Sequence, residues 1–347
     1  MQSYIVRLRD FSEGARLIAR FSRLTHILPF ISAVVAEGEN FSYAENYVVS
    51  ASKVAKVSVV MDSVRQACRT KKAGAPFGGR GVTVAVIDTG LSPHLDFLLP
   101  NRVSEFVDVI NGKTEMYDDN GHGTAVTGAL AGSGLMSSGN YAGIASGANV
   151  ISIKAISANG EGSTADILQS MQWIWSNCEK YGIKVVCTSF GTEPQGKNDP
   201  LVAGVEALHS KGIIVVASSG NDGPAYGTVK SPGISPFALT VGGASINEKI
   251  KVAEFSSRGK YNGIIKPDVV APSENVVCPS KDSDYSAITG TSISTPLVAG
   301  ACALVLEKHP YYTPDKVKEV IMKNARRLDD KTASGSGMLD LSFLDLL

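Results

Sequence analysis

The sequence has 347 residues, which corresponds to about two domains at roughly 150 residues each. Hydrophobic residues make up 44% and charged residues 19%, an ordinary globular composition that excludes a disordered or collagen-like chain. The 33 basic residues balance the 33 acidic ones, so the net charge gives no reason to expect nucleic acid or a membrane surface as a partner.

The longest apolar stretches, Leu297–Leu306 and Ile27–Ala36, fall well short of the roughly 20 residues that a membrane-spanning helix requires. The first residues lack the basic segment, continuous apolar segment and small-residue cleavage site of a signal peptide. Five cysteines without a C-x-x-C pair indicate reduced, buried thiols rather than disulfides or a zinc site. We therefore expect a cytoplasmic protein, or a secreted one if a leader has been removed.

The first 67 residues predict a small α+β domain. A strand-like SYIVRL is followed by a helical stretch over Ser12–Leu24, an apolar run ILPFISAVVAE and a final run VAKVSVVMD. The segment Arg69–Gly81 is rich in Gly, Lys and Arg and has no hydrophobic period. It predicts a mobile linker over residues 68–80, before a second domain over residues 81–347.

From Gly81 onward, short β-branched apolar runs alternate with helix-like segments. The predicted helices are Ser163–Tyr181, capped by Ser163 or Thr164, and Asp199–Lys211. The apolar runs have little polar alternation, which is typical of strands buried on both faces of a parallel sheet. They predict a doubly wound, mostly parallel α/β domain. The runs are VTVAVID (82–88), ANVISIKAI (148–156), IKVVCTSF (183–190), IIVVASS (213–219) and ALTVGG (238–243).

Three segments carry candidate catalytic residues. Asp88 ends the run VTVAVID, His122 lies between two glycines in DDNGHGT, and Ser292 opens a helix in ITGTSISTPLVAG. Taken singly, these residues fit a turn aspartate, a packed histidine and a helix cap. Taken together, they supply a nucleophile, a base to take its proton and a carboxylate to orient the base.

The chain order Asp88, His122, Ser292, in the blocks VIDTG, NGHGTAV and GTSISTP, resembles that of the subtilisin-like serine proteases. The resemblance covers about residues 80–327 and is closest to the cytoplasmic, AprX-like branch in FVDVINGKTEMYDDNGHGT. It implies that Ser292 is the nucleophile, that His122 is the general base and then acid, and that Asp88 orients His122. Two departures, HGTAV without a second His and Ile293-Ser294 in place of Met-Ala, replace no catalytic atom.

The same resemblance implies an oxyanion donor and a substrate cleft. Asn221 in SSGND would donate its side-chain amide to the developing oxyanion. Substrate would bind as an extended strand between two edges, with main-chain hydrogen bonds and close backbone approach at glycines, although loop glycines needed only for turns are the alternative. The edges are Gly160-Glu161-Gly162 and Ser189-Phe190-Gly191, and the pocket for the P1 side chain is lined by Ser218, Ser219 and Gly220.

By the same resemblance, Lys230 in GTVKSPGISP would lie on the floor of the P1 pocket, where the family more commonly has a small residue. Two interpretations stay open. Its ammonium pairs directly with an acidic or polar P1 side chain, or it extends into solvent and leaves an ordinary apolar pocket.

The N-terminal domain is similar to the inhibitory propeptides of the family. Residues 1–67 would then be a chaperone and an intramolecular inhibitor, removed by self-cleavage near Asp62–Thr70. An uncleaved regulatory domain is the alternative.

No organic cofactor is implied, and no strong metal site is expected. The loop GSGLMSSGNYAG offers hydroxyls, carbonyls and Asn140 but no carboxylate, whereas calcium takes six to eight oxygen ligands that include carboxylates. Asp108, Asp118 and Asp119 are the candidates for a weak structural calcium ion, or are simply solvated. The glycines of GGRGVTVAV precede a strand instead of following one, which excludes a phosphate-binding loop.

The sequence therefore predicts a serine endopeptidase that acts on proteins or peptides through an acyl-enzyme and is made as an autoprocessed zymogen. One alternative is a catalytically silent scaffold of the same fold that binds a partner. Another is an esterase of the α/β-hydrolase type, but that class needs G-x-S-x-G, and Ser292 lacks the second glycine.

Overall fold

The computed structural model describes residues 3–28, 33–38, 41–53, 60–70, 78–246 and 249–345. The chain divides into two compact units, residues 1–58 and 59–347. The expected domain boundary at residue 67 is therefore replaced by one between Ser58 and Val59. Each unit has its own hydrophobic core.

The first unit is a four-stranded antiparallel sheet with one helix. Asp10 begins the helix by accepting a hydrogen bond from the Glu13 N–H. The apolar run ILPFISAVVAE contributes residues to two paired strands. The sheet order is β2-β3-β1-β4. The elements are β1 (Ser3–Leu8), α1 (Phe11–Phe21), β2 (Arg23–Leu28), β3 (Ala33–Glu37) and β4 (Val48–Lys53). Most of the run VAKVSVVMD, residues 54–59, lies outside the described residues.

The next helix, α2 (Val60–Ala67), belongs to the second unit, because its buried side chains enter that unit's core. Val64 and Cys68 are fully buried there. The Arg65 guanidinium donates to the carbonyls of Ala142 and Gly143, at 2.5 and 2.8 Å. These contacts overturn the assignment of residues 60–67 to the N-terminal domain.

The predicted linker is also anchored where the structure describes it. The N–H groups of Gly78 and Gly79 donate to the carboxylate of Glu307, at 2.8 and 2.6 Å. The Leu341 N–H donates to the carbonyl of Cys68. The rest of the predicted linker, residues 71–77, lies outside the described residues.

The second unit is built on an eight-stranded sheet of order β11-β10-β9-β8-β5-β7-β6, with β14 beside β10. All pairs are parallel except β10 with β11. The strands are β5 (Thr83–Asp88), β6 (Val103–Asp108), β7 (Asn149–Lys154), β8 (Ile183–Thr188), β9 (Ile214–Ser218), β10 (Leu239–Ser245), β11 (Lys251–Val252) and β14 (Val269–Pro272). Two hairpins lie outside this sheet, β12 (Gly259–Tyr261) with β13 (Ile264–Lys266) and β15 (Val276–Pro279) with β16 (Tyr285–Ile288).

Helices cover both faces of this sheet, as expected for a doubly wound fold. Helices α4 and α7 pack on one face, and α5 and α6 on the other. Ser163 caps α5 by accepting from the Asp166 N–H, and Asp199 caps α6. The helices are α3 (Leu95–Leu98), α4 (His122–Ala131), α5 (Thr164–Tyr181), α6 (Pro200–Ser210), α7 (Thr291–Lys308), α8 (Pro314–Asn324) and α9 (Lys331–Ser334).

The sheet order brings together the carboxyl ends of β5, β8 and β9, which are adjacent parallel strands. In open α/β sheets, sites form at this edge. Within the described residues, no helix combines the length and the apolar character needed to cross a membrane.

Candidate active site

Asp88 and His122 form a hydrogen-bonded pair at the end of β5. His122 Nδ1 lies 2.7 Å from Asp88 Oδ1, which also accepts the Thr89 N–H at 2.8 Å. Asp88 is 1% exposed, whereas the His122 side chain is 30% exposed and so remains accessible at one side. The negative charge of Asp88 raises the pKa of His122, and burial only partly opposes it. The carboxylate therefore orients the ring and stabilises its protonated form.

Glycine allows α4 to approach the strand closely enough for this contact. A Cβ at Gly123 would lie 2.3 Å from the carbonyl oxygen of Gly90 and 3.2 Å from Asp88 Cβ. No side chain fits in that space. The Gly123 N–H donates to Thr89 Oγ1 at 2.8 Å, which ties the first turn of α4 to the end of β5.

Asp118 organises the loop before His122. Its carboxylate accepts hydrogen bonds from the Gly121 N–H, the Thr124 N–H and hydroxyl, and the Thr89 hydroxyl. Burial raises the pKa of Asp118, but these hydrogen bonds outweigh it and hold the pKa below the usual range. The ionised carboxylate therefore fixes the loop on both sides of His122.

Lys154 adds a second buried link at the same edge. Its fully buried ammonium donates to the Thr89 carbonyl at 2.7 Å, to Asp119 Oδ1 at 2.6 Å and to the Ile156 carbonyl at 3.0 Å. A buried ammonium is tolerated only when its donors are satisfied. Lys154 thus holds the segment after Asp88 against the loop before His122.

Ser292 and Asn221 lie together at the amino end of α7. Asn221 Oδ1 accepts both the N–H and the hydroxyl of Thr291, each at 2.9 Å. Because an amide oxygen accepts and an amide nitrogen donates, these contacts assign Oδ1 to Thr291 and leave Nδ2 as a donor on the other side. A Cβ at Gly290 would lie 3.2 Å from Ser292 Oγ and 3.5 Å from Asn221 Nδ2, so glycine keeps the space between them open.

Ser292 and Asn221 line one cavity of about 390 Å³ with most of the residues expected to bind substrate. Its further lining residues are Ser189, Phe190, Gly191, Thr192, Glu193, Ser218, Gly220, Asp222, Lys230 and Thr291. A neighbouring cavity of about 120 Å³ has Gly160 and Gly162 on one side and Phe190 and Gly191 on the other. The two expected substrate edges therefore flank a common cleft.

Two expected substrate-binding residues line neither cavity. Ser219 is fully buried, and its N–H donates to the Val241 carbonyl. Glu161 has an exposed side chain, and its carbonyl accepts the Ser157 N–H. Ser219 therefore supports the loop behind the cleft, whereas Glu161 remains an exposed member of the segment 160–162.

The carboxylates considered for calcium lie in separate networks. Asp108 accepts the Ile110 and Asn111 N–H groups and the Tyr117 hydroxyl. Asp118 and Asp119 are occupied by the contacts described above. Among the described residues, no three His, Cys, Asp or Glu side chains are grouped closely enough to hold a metal ion.

A serine at a helix amino end, an aspartate-bound histidine and an amide donor are the groups that a serine-type hydrolase uses. The model of the subtilase family matches residues 79–342, and the chain belongs to this family. It is a subtilisin-like serine protease, with serine endopeptidase activity.

Two curated relatives illustrate the similarity. Serine protease AprX of Bacillus subtilis (strain 168) is 38% identical over 310 residues, which is 80% of this chain and 69% of the relative. Subtilisin Savinase of Lederbergia lenta is 34% identical over 262 residues, covering 76% of this chain and 90% of the relative. Among solved structures, Sphericase superposes with a TM-score of 0.72 at 26% identity, covering 81% of this chain and 97% of the other.

Some residues of the site were not singled out in the sequence. Thr291 precedes the serine, and its role emerges only from the contact with Asn221. Lys154 could be found from the sequence alone, because a lysine within the apolar run ANVISIKAI needs a buried partner. The sequence offers Asp118 as a candidate for a weak ion site, and the structure shows that its carboxylate also accepts hydrogen bonds from backbone and hydroxyl donors around His122.

Proposed function

We propose that the protease acts through a triad of Asp88, His122 and Ser292. The Ser292 hydroxyl transfers its proton to His122 as its oxygen attacks the scissile carbonyl. His122 then protonates the leaving amine, and a water activated by His122 hydrolyses the acyl-enzyme. The observation that carries the proposal is the 2.7 Å contact between His122 Nδ1 and Asp88 Oδ1, because it makes Nε2 the ring nitrogen that would take the proton of the serine.

Asn221 supplies the oxyanion donor in this proposal. Its amide is already oriented by Thr291, so no reorganisation is needed when negative charge builds on the substrate oxygen. The amino end of α7 favours the same charge, because its N–H groups and dipole are positive there.

The substrate is an extended peptide that adds a strand between the segments 160–162 and 189–191. The shared cavity between Gly160, Gly162 and Gly191 supports this placement, since backbone can approach backbone closely at glycine. Main-chain hydrogen bonds would then give affinity for many sequences.

The N-terminal unit is the intramolecular inhibitor of an autoprocessed zymogen. The packing of α2 revises the expected cleavage near Asp62–Thr70, because Val64 and Cys68 are part of the catalytic core. We place the cleaved bond before Val60. We also propose a cytoplasmic location, which suits the five free, buried cysteines, and catalysis without an organic cofactor.

Hydrolysis of a fluorogenic peptide by matched serine variants tests the triad. Ser292→Ala should lower kcat/KM by about 10⁴–10⁶-fold. Ser294→Ala is the control, because Ser294 lies on the same helix but donates to the carbonyls of Ala271 and Pro272. Equal activity of wild type and Ser292→Ala would exclude Ser292 as the nucleophile, and an inactive wild type would favour the silent scaffold.

A further inference from the structure

Lys230 lines the same cavity as Ser292. A Cβ at Gly191 would lie 2.7 Å from Lys230 Cβ, and a Cβ at Gly220 would lie 2.7 Å from Lys230 Cγ. One glycine follows β8 and the other follows β9. The first methylenes of Lys230 therefore fill the gap between the two segments, and glycine on each side makes room for them.

The Lys230 ammonium is bound on both sides. It forms ion pairs with Glu193 and Asp222, each two residues beyond one of the glycines. The Lys230 side chain is 16% exposed, whereas Glu193 is 81% and Asp222 is 57% exposed. The side chain thus connects the two segments, with its stem buried and its charge at the rim.

The charge of this cluster bears on substrate choice. Hydrogen bonds from Lys230 to Asp222 and then to Glu193 raise the pKa of the lysine, so it stays charged at neutral pH. One lysine and two acidic residues give this cluster a formal net charge of −1. Among the described residues that line this cavity, these three are the charged ones.

We propose that Lys230 is a specificity-determining residue that limits the P1 position to short, uncharged side chains. The proposal rests on the proposed function, because Ser292 defines the P1 position. The stem of Lys230 fills the gap between Gly191 and Gly220, so a long or aromatic side chain that enters this gap would have to displace it. An acidic P1 side chain would be repelled by the net negative charge of this cluster. A basic P1 side chain would have to displace the Lys230 ammonium from Glu193 and Asp222. This replaces the expectation that Lys230 pairs with an acidic P1 side chain.

Peptides that differ only at P1 test the proposal on the wild-type protein. We expect kcat/KM to be highest with Ala and at least about 10-fold lower with Phe, Glu or Lys, because steric and charge mismatch in a pocket typically has effects of this size. Glu as the preferred P1 residue would overturn the proposal, and so would Phe as the preferred one.

Three variants separate the size effect from the charge effect. Lys230→Gly should raise the Phe/Ala ratio of kcat/KM at least about 10-fold, because the stem is removed. Lys230→Met keeps a stem of similar length, so its Phe/Ala ratio should stay within about 3-fold while its Glu/Ala ratio falls further. The double variant Glu193→Gln, Asp222→Asn frees the ammonium and should raise the Glu/Ala ratio at least about 10-fold.

Ratios within each variant cancel any effect of Asp222 on its neighbour Asn221. If Lys230→Gly leaves the Phe/Ala ratio unchanged, or the double variant leaves the Glu/Ala ratio unchanged, the proposal is wrong. Labelling of Ser292 by a fluorophosphonate distinguishes this failure from that of the proposed function. A labelled enzyme with the wrong preferences overturns only the role of Lys230, whereas an unlabelled protein that cleaves no peptide overturns both.

Discussion

His122 Nδ1 and Asp88 Oδ1 lie 2.7 Å apart, and the charge of Asp88 raises the pKa of His122. As the pH falls, His122 takes up a proton and can no longer accept one from Ser292. We therefore expect kcat/KM to fall on the acid side with an apparent pKa above the ordinary histidine value of about 6.5. A profile of kcat/KM against pH measures it, and an acid limb below pH 6 would contradict the assigned pairing.

Replacing Asp88 by Asn should lower kcat by about 10⁴-fold, because the neutral amide neither stabilises the imidazolium nor selects the required tautomer. In the pH profile of the residual activity, the acid limb should move to a lower pH, since the charge that raises the pKa of His122 is gone. Glu115→Gln, an exposed carboxylate on the segment before His122, serves as the control. A loss of less than about 10-fold in Asp88→Asn would exclude this role.

Asn221→Ala should lower kcat by about 10²–10³-fold with little change in KM, because the amide acts on charge that develops in the transition state. Thr291→Val removes one of the two donors that orient Asn221 and retains the backbone N–H. We expect Thr291→Val to lower kcat by roughly 10-fold or less. Steady-state kinetics on one peptide would check both variants, and a rise in KM alone would indicate a role in substrate binding only.

The local pattern of the sequence predicted much of the catalytic unit. The strand that ends at Asp88 is buried throughout, as its continuous apolar run predicts. The sequence also indicates Ser163 as a candidate cap of helix α5. The strand β6 was missed because its side chains are only partly buried, which obscures the apolar pattern.

Contacts between residues far apart in the sequence cannot be predicted from local sequence patterns. Helix α2 follows the N-terminal unit in sequence, yet Arg65 binds carbonyls 77 and 78 residues away. Likewise, Glu193 lies on the loop after β8, whereas Asp222 and Lys230 lie on the loop between β9 and β10, and only the fold brings their charges together. The candidate triad was predictable from three blocks, whereas these electrostatic partners were not.

Val64→Ala should test the boundary between the two units. Val64 is fully buried in the core of the second unit, so the change should lower the free energy of unfolding of the catalytic unit by about 1–3 kcal/mol. Val6→Ala, in the core of the first unit, is the matched control. Thermal unfolding in the Ser292→Ala background would measure both, and a Val64→Ala effect confined to the N-terminal unit would contradict the assignment of α2.

The burial of Lys266 predicts that the free energy of unfolding rises with pH in the alkaline range. Its buried ammonium donates to Asp268, Thr240 and Ala238, and burial lowers its pKa to about 8. The unfolded chain keeps this proton up to about pH 10.4, so between these values it binds more protons than the folded chain. The free energy of unfolding should therefore rise with pH over that window, by at most about 1.4 kcal/mol per unit from this group.

The control for this effect is Lys266→Met, which has no proton to lose. Denaturant unfolding of both proteins between pH 7.5 and 10.5, a range of about 3 units around the shifted pKa, gives the difference. Wild type should gain stability relative to the variant as the pH rises. Parallel curves would show that Lys266 titrates normally.

The most direct test of the central claim is the intact mass of wild type and Ser292→Ala with and without a fluorophosphonate, which reacts with activated serines. We predict that wild type takes up one probe at Ser292 and loses its N-terminal unit at a bond before Val60, while Ser292→Ala stays full length and unlabelled. If wild type is labelled but stays full length, the proposed nucleophile holds and the proposed zymogen is wrong. A wild type that takes up no probe, even after limited proteolysis of its N-terminal unit, would contradict the triad itself.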